Sequence, residues 1–408
     1  MAETTPHPLI SKLQAWAIDH PALIFALLRN LKPILAIKNF ALVTRCDDIQ
    51  EVLARDDVFH VTYQAKMEKV TTGENFFLGM QNSAQYTRDV SGMRLAIRRE
   101  DIDSRIGSFV EAQAERIMQA ASGQIDVVAE LTRVVPTLLV EDYFGTPAPD
   151  RAAFTEAATL LFAYLFFPDD ASLTPRALVA AANTRTMLEQ AIATRKQQLA
   201  QGAAPLDDVV GRCLTMQQAG TPGMDDVSIR NNLIGMLIGA IPTTSKCAVL
   251  CLDYLLSHPE QLAAAQSAAR ADNDALINQF VLESIRFNSF GPGLLRYCAE
   301  DYVLAKGNWR ATTIKAGTTV FVALQSAMLD GRKVTAPGEF RTDRPAYNYM
   351  HYGYGLHTCF GQYINQVQIA KIVKVILKRN NLRRADGPTG QVQNDGAFPA
   401  HWVLQFDR

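Results

Sequence analysis

Six long segments, residues 101–121, 126–144, 154–167, 175–201, 225–257 and 260–287, repeat their apolar residues with the period of about 3.6 that marks a helix. That much helix in the middle of a chain leaves room for only a little sheet. Short β-like runs at 40–44, 295–297, 302–304 and 319–322 supply it, the last of them after the turn Lys315-Ala316-Gly317. The expected class is mainly α with a small β region. With 408 residues, 48% hydrophobic and 20% charged, the chain has the material for a sizeable core and is not disordered, collagenous or coiled-coil. The Gly/Pro breaks at 202–205 and 220–223 are too short for interdomain linkers, so a single domain over 1–408 is expected.

Forty basic residues face 41 acidic ones, a balance that speaks against nucleic acid as a partner. Cys46, Cys213, Cys247, Cys251, Cys298 and Cys359 are scattered without a CxxC pair, which points to a reducing, cytoplasmic setting. Residues 1–12 lack the basic and apolar regions of a signal peptide. The apolar stretch 21–40 is broken by Arg29, Lys32, Pro33 and Lys38, so no membrane anchor is expected.

Residues 330–350, rich in Pro, Gly, Arg and Asp, read as a long ordered loop leading into Tyr352-Gly353-Tyr354-Gly355-Leu356-His357-Thr358-Cys359-Phe360-Gly361. A helical pattern follows over 362–379, which places Cys359 at a helix N-terminus. Backbone N–H groups and the macrodipole there favour the thiolate and lower the thiol pKa. Three glycines let the backbone turn sharply and approach something large and flat. A thiolate held this way suits the axial position of a heme iron. The same residues allow a buried structural cysteine, or a zinc site built from His351, His357 and Cys359.

The ten-residue run resembles the heme-binding loop of the cytochromes P450: an aromatic, two residues, Gly, one residue, His or Arg, one residue, Cys, one residue, Gly. Tyr352 replaces the usual Phe. The resemblance implies the cytochrome P450 fold, a triangular helical prism enclosing heme b, with Cys359 as iron ligand and His357 on a heme propionate. It assigns Glu283, Arg286 and Arg344 to the family's buried Glu-Arg-Arg network and Arg296 to a second propionate contact. Segment 225–257 becomes the long helix crossing the distal face of the heme, about 50 Å at 1.5 Å per residue. Tyr86 and Val90 stand where the family offers a His and an Arg to the propionates, and Tyr86 keeps a hydrogen-bond donor.

Within the distal helix the family's small pair, spacer, acid and Thr is replaced by Gly239-Ala240-Ile241-Pro242-Thr243-Thr244. Pro242 carries no proton, and its missing N–H leaves the Ile238 carbonyl without its helical partner, which is expected to kink or open the helix. Either a water on that carbonyl and on the Thr243 hydroxyl relays protons, or Thr243 and Thr244 simply bond back within the helix. Thr243 and Thr244 are the candidate catalytic residues. By resemblance the substrate pocket draws on Phe76, Phe77, Ile238, Ile241, Leu294 and Phe398, an apolar set suited to a hydrophobic small molecule. Arg94, Arg98 and Arg99, with Lys371, Lys374 and Lys378, form either a basic docking face for an acidic ferredoxin or a solvated helix surface. The expected activity is that of a monooxygenase fed by a ferredoxin or flavodoxin with a reductase. Its rivals are a peroxide-driven peroxygenase or hydroperoxide isomerase, which Pro242 keeps open, and a non-catalytic heme sensor.

Overall fold

The computed structural model describes residues 21–73, 76–167 and 170–407; the leaderless reading of 1–12 lies outside them. The described residues gather into two compact units, one from residues up to Thr62 with Ser289–Thr358, the other from Tyr63–Asn288 and the residues after Thr358.

The first unit is built on a five-stranded sheet in the order Ile34–Ile37, Phe40–Val43, Thr319–Val322, Leu294–Cys298, Phe59–Val61. All neighbours are antiparallel except Phe40–Val43 and Thr319–Val322, which run parallel with Ala41 opposite Val320. Alternation along these strands sends Ala41, Val43, Val320 and Val322 into a core shared with Ile34, Phe59 and Cys298. The helix Cys46–Ala54 closes it with Ile49, Val52 and Leu53. A second ladder joins Tyr302–Leu304 to Thr312–Ile314. All four strands expected from the sequence are present. Those not expected, Ile34–Ile37, Phe59–Val61 and Thr312–Ile314, have only three or four residues, too few for a period to show. Residues 330–350 form turns around one short 3-10 segment, Ala346–Asn348, as their composition suggests.

The second unit is helical and organised by Asp226–Leu256, a 31-residue helix whose Asp225 caps it by accepting from the Ser228 N–H. Arg151–Phe166, Leu173–Ala200, Asp274–Phe287 and Gln362–Leu377 pack around it. By length and composition this helix is the one described span apolar enough to cross a membrane, but 67% of its apolar window is buried inside the protein. It runs unbroken through Pro242, so the expected opening of the helix does not occur.

Three helical expectations need correction. The segment 260–287 is two helices, Pro259–Arg270 and Asp274–Phe287, because Asp272 adopts a left-handed φ of 51° and Asn273 caps the second helix through the Leu276 N–H. Residues 101–121 open with a π-helical stretch, Ile102–Gly107. Residues 126–144 alternate between π and α, where Pro136 has no N–H to offer the Thr132 carbonyl. The wider turns keep apolar residues on the buried side, so the sequence pattern alone does not distinguish them from α-helix.

Candidate functional site

Cys359 lies two residues before Gly361, the N-cap of Gln362–Leu377, and its carbonyl accepts from the Gln362 N–H at 3.2 Å. It is half-buried. The expected lowering of its thiol pKa is not found: burial pushes the thiol up, and the Gly361 N–H, pointing at the sulfur, only opposes that. A cation bound at the sulfur would reverse the balance, since a coordinating thiol is deprotonated outright.

The glycines upstream do what their positions suggest. Gly353 and Gly355 hold φ of 79° and 74°, and a Cβ on Gly355 would stand 2.5 Å from the Leu53 carbonyl oxygen. In the same unit His357 and Arg296 come together. Burial, and then the Arg296 charge, pull the His357 imidazole down to about 4, while Arg296 is buried on the strand Leu294–Cys298 and donates to the Leu295 carbonyl at 2.9 Å. A buried guanidinium beside an imidazole held neutral leaves one positive charge away from water, which favours an anion such as a propionate.

Among the described residues no three His, Cys, Asp or Glu side chains gather to hold a metal ion, which argues against the zinc alternative. A single cysteine sulfur beside a helix start fits a metal whose remaining ligands come from a macrocycle. Heme b meets that description: Cys359 would hold its iron, and His357 and Arg296 its propionates. Tyr86 is buried, its ring 6.3 Å from Phe77, which in turn lies 5.2 Å from Phe360 beside Cys359.

Glu283 and Arg286 form the expected pair. Both are fully buried, and the guanidinium donates twice, at 2.7 and 2.9 Å, to the carboxylate. Arg344, buried in the other unit, donates to the carbonyls of Thr335, Ala336 and Glu339 at 2.6 to 2.8 Å.

The two threonines divide. Thr243 keeps accessible surface and donates to the Gly239 carbonyl. Thr244 is fully buried; its hydroxyl lies 2.7 Å from the Ala240 carbonyl and 3.2 Å from the Asn365 amide oxygen, and it accepts from Gln368 Nε2 at 2.8 Å. Both hydroxyls bond back within the helix, as one of the two readings of Pro242 has it. Asn365 and Gln368 were missed in the sequence, although each is a polar residue set among Ile364, Val367 and Ile369 on a helix.

Phe76, Phe77, Ile238, Ile241 and Phe398 are buried to 3% exposure or less, and Leu294 is half-buried. Phe76 lies so close on Gly235 that a Cβ there would meet its ring at 2.2 Å. The accessible face of the central helix is instead Gly239, Ala240, Thr243, Lys246, Cys247 and Leu250, spaced for one stripe. Burial pushes the Cys247 thiol up to about 12, and that residue also feels the charge of Cys359.

The lysines, expected to form either a docking face or a solvated surface, are paired with acids. Lys374 is buried between Glu111 at 2.5 Å and Asp274 at 2.8 Å, Lys371 reaches the same two carboxylates at 2.6 Å, and Lys378 pairs with Asp272 at 2.6 Å. Arg99 stacks on Tyr363 at 4.1 Å and Arg98 lies 3.6 Å from Asp207. Acids with the helical spacing of these lysines come from distant segments and could not be paired with them in advance.

The chain belongs to the cytochrome P450 family, whose model matches residues 34–394. It is 31% identical over 179 residues, 42% of its length, to a bifunctional dioxygenase–epoxy alcohol synthase of Pyricularia oryzae, covering 15% of that longer protein. It is 26% identical to cytochrome P450 monooxygenase PikC of Streptomyces venezuelae over 69% of this chain and 62% of PikC. Its fold is that of P450BioI, solved with an acyl carrier protein carrying hexadec-9Z-enoic acid, at a TM-score of 0.79 and 19% identity over 96% of this chain and 100% of that one. The chain thus spans less than two thirds of the length of the first of these relatives.

Proposed function

We propose that this enzyme is a monooxygenase acting on a hydrophobic small molecule by hydroxylation or epoxidation. The observation that carries the reading is Cys359 at the start of Gln362–Leu377, in a family whose relatives include bacterial P450 monooxygenases. Heme, when bound, supplies the oxygen chemistry. One oxygen atom enters the substrate and the other leaves as water, with two electrons and two protons consumed. Electrons would come from a ferredoxin or flavodoxin and its reductase. The chain's own part is to hold the group through Cys359, His357 and Arg296, to keep water out with Phe76, Phe77 and Phe398, and to offer Thr243 as the accessible hydroxyl on the distal stripe.

A second reading keeps the fold and replaces reductant and dioxygen by hydrogen peroxide or a substrate hydroperoxide. Pro242 favours it, because no acid stands in the helix beside Thr243, and the fungal relatives named as dioxygenase–epoxy alcohol synthases agree with it. The deciding experiment compares product from a panel of apolar compounds with reductase, ferredoxin and NAD(P)H in air against hydrogen peroxide alone. Product from the electron-driven reaction only supports the monooxygenase; sustained product from peroxide only overturns it.

A further inference from the structure

Between residues 231 and 252 the central helix carries one charged side chain, Lys246. It sits on the accessible stripe, one turn beyond Thr243. Its ammonium is held over two aromatic rings, 5.7 Å from the centroid of Phe167 and 5.4 Å from that of Phe398. Phe162 completes the wall, its ring 5.6 Å from Phe398 and 5.9 Å from Phe167. Phe162 and Phe167 are partly exposed, while Phe398 is buried. Burial pushes the Lys246 ammonium below its ordinary range.

A lysine in this position is costly. A long charged side chain ordinarily reaches for water with its head group, whereas this one is directed into a ring of phenylalanines in the part of the helix that carries the distal threonine. Attraction to ring faces recovers some of the lost hydration, and an anion brought to the ammonium recovers more, at short range and low dielectric. An apolar wall with one fixed cation is a site for an amphipathic acid: the rings take the chain and the ammonium fixes one end.

We propose that Lys246 anchors a carboxylate of the substrate, so that the hydrophobic molecule this enzyme oxidises is an organic acid. The proposal rests on the heme-thiolate reading above and adds the substrate class to it. Lys246 acts by binding and orientation; it takes no part in the oxidation itself.

The test uses the heme-loaded enzyme and two probes of equal chain length, tetradecanoate and methyl tetradecanoate, with affinity read by calorimetry and by the heme absorbance change on binding. The wild type is expected to bind the acid at least tenfold more tightly than the ester. Lys246→Met is expected to lose that preference while keeping its ester affinity and heme content, and Lys246→Arg to retain most of it. Equal acid affinity in wild type and Lys246→Met, with heme in place, overturns the anchor alone, as does a wild type that does not distinguish acid from ester. A wild type whose purified chain fails to take up heme overturns the enzyme reading together with the anchor. Unchanged ester affinity in Lys246→Met is the control that its site has folded.

Discussion

Replacing Thr244 by valine should destabilise the enzyme far more than the same change at Thr243. Valine keeps the shape but removes the hydroxyl that accepts from Gln368 Nε2 at 2.8 Å and lies 3.2 Å from the Asn365 amide oxygen. Thr244, Asn365 and Gln368 are 0%, 8% and 1% exposed, so water does not step in. A buried donor left without its partner costs about 1 to 3 kcal/mol, and about 2 kcal/mol lowers the folded-to-unfolded ratio roughly thirtyfold. The Ala240 carbonyl loses little, because a back-bond to a helical carbonyl is worth little. Urea denaturation of the heme-loaded variants, followed by fluorescence and by heme absorbance, reads the effect. Thr244→Ser should retain most of the stability, and Thr244→Val combined with Gln368→Leu should regain part of what Thr244→Val loses, since removing both polar partners strands neither. Thr243→Val should shift the transition by less than half as much and act on turnover instead. If Thr244→Val unfolds at the wild-type denaturant concentration, the network does not carry the load assigned to it. If it also abolishes product formation, Thr244 belongs to the chemistry and the division between the two threonines is wrong.

Two further outcomes follow from buried charges. Glu283→Ala strands the fully buried Arg286 guanidinium and should cost about 3 to 5 kcal/mol, seen as loss of soluble heme-loaded protein, with Glu283→Gln milder. Asp126 accepts from the Val128, Ala129 and Trp402 N–H groups, each at 3.1 Å, and pairs with His401 at 2.7 Å. Although burial works against its charge, the Ala129 N–H, His401 and the Trp402 N–H together hold its carboxyl below the ordinary carboxylate range. A depressed carboxylate stabilises the fold fully above its unfolded pKa of about 3.9 and loses that contribution as pH falls through the lower folded value. Asp126→Asn should therefore be less stable than wild type at neutral pH, and the difference should shrink on acidification below about pH 4. A difference that stays constant with pH would contradict the assignment.

The sequence carried the long elements and the cysteine loop because both depend on local rules. A 31-residue helix repeats its pattern many times, and the glycines at 353 and 355 are required by positive φ. What it did not carry is decided by partners far along the chain. The strand Gln124–Asp126 exists because Val403–Gln405 pairs with it. Lys374 is neutralised by Glu111 and Asp274, one of them more than 260 positions away. The pocket residues were chosen as apolar positions near the expected heme, and apolar positions are the ones a core buries, so Phe76 and Ile241 end with at most 1% exposure while Lys246 and Thr243 keep surface. Lys246 had a signal of its own, a single charge in an apolar run, which periodicity treats as noise. Pro242 was expected to kink or open its helix; the helix runs unbroken through it, packed on several sides by other helices.

The claim on which everything else depends is that Cys359 supplies a thiolate to heme iron. It is tested most directly by the electron paramagnetic resonance and carbon monoxide difference spectra of the heme-loaded wild type beside Cys359→Ala and Cys359→His. The account predicts a thiolate-ligated signature in the wild type that both variants lose, the histidine variant taking on a nitrogen-ligated one. A wild-type signature that survives unchanged in Cys359→Ala would contradict it.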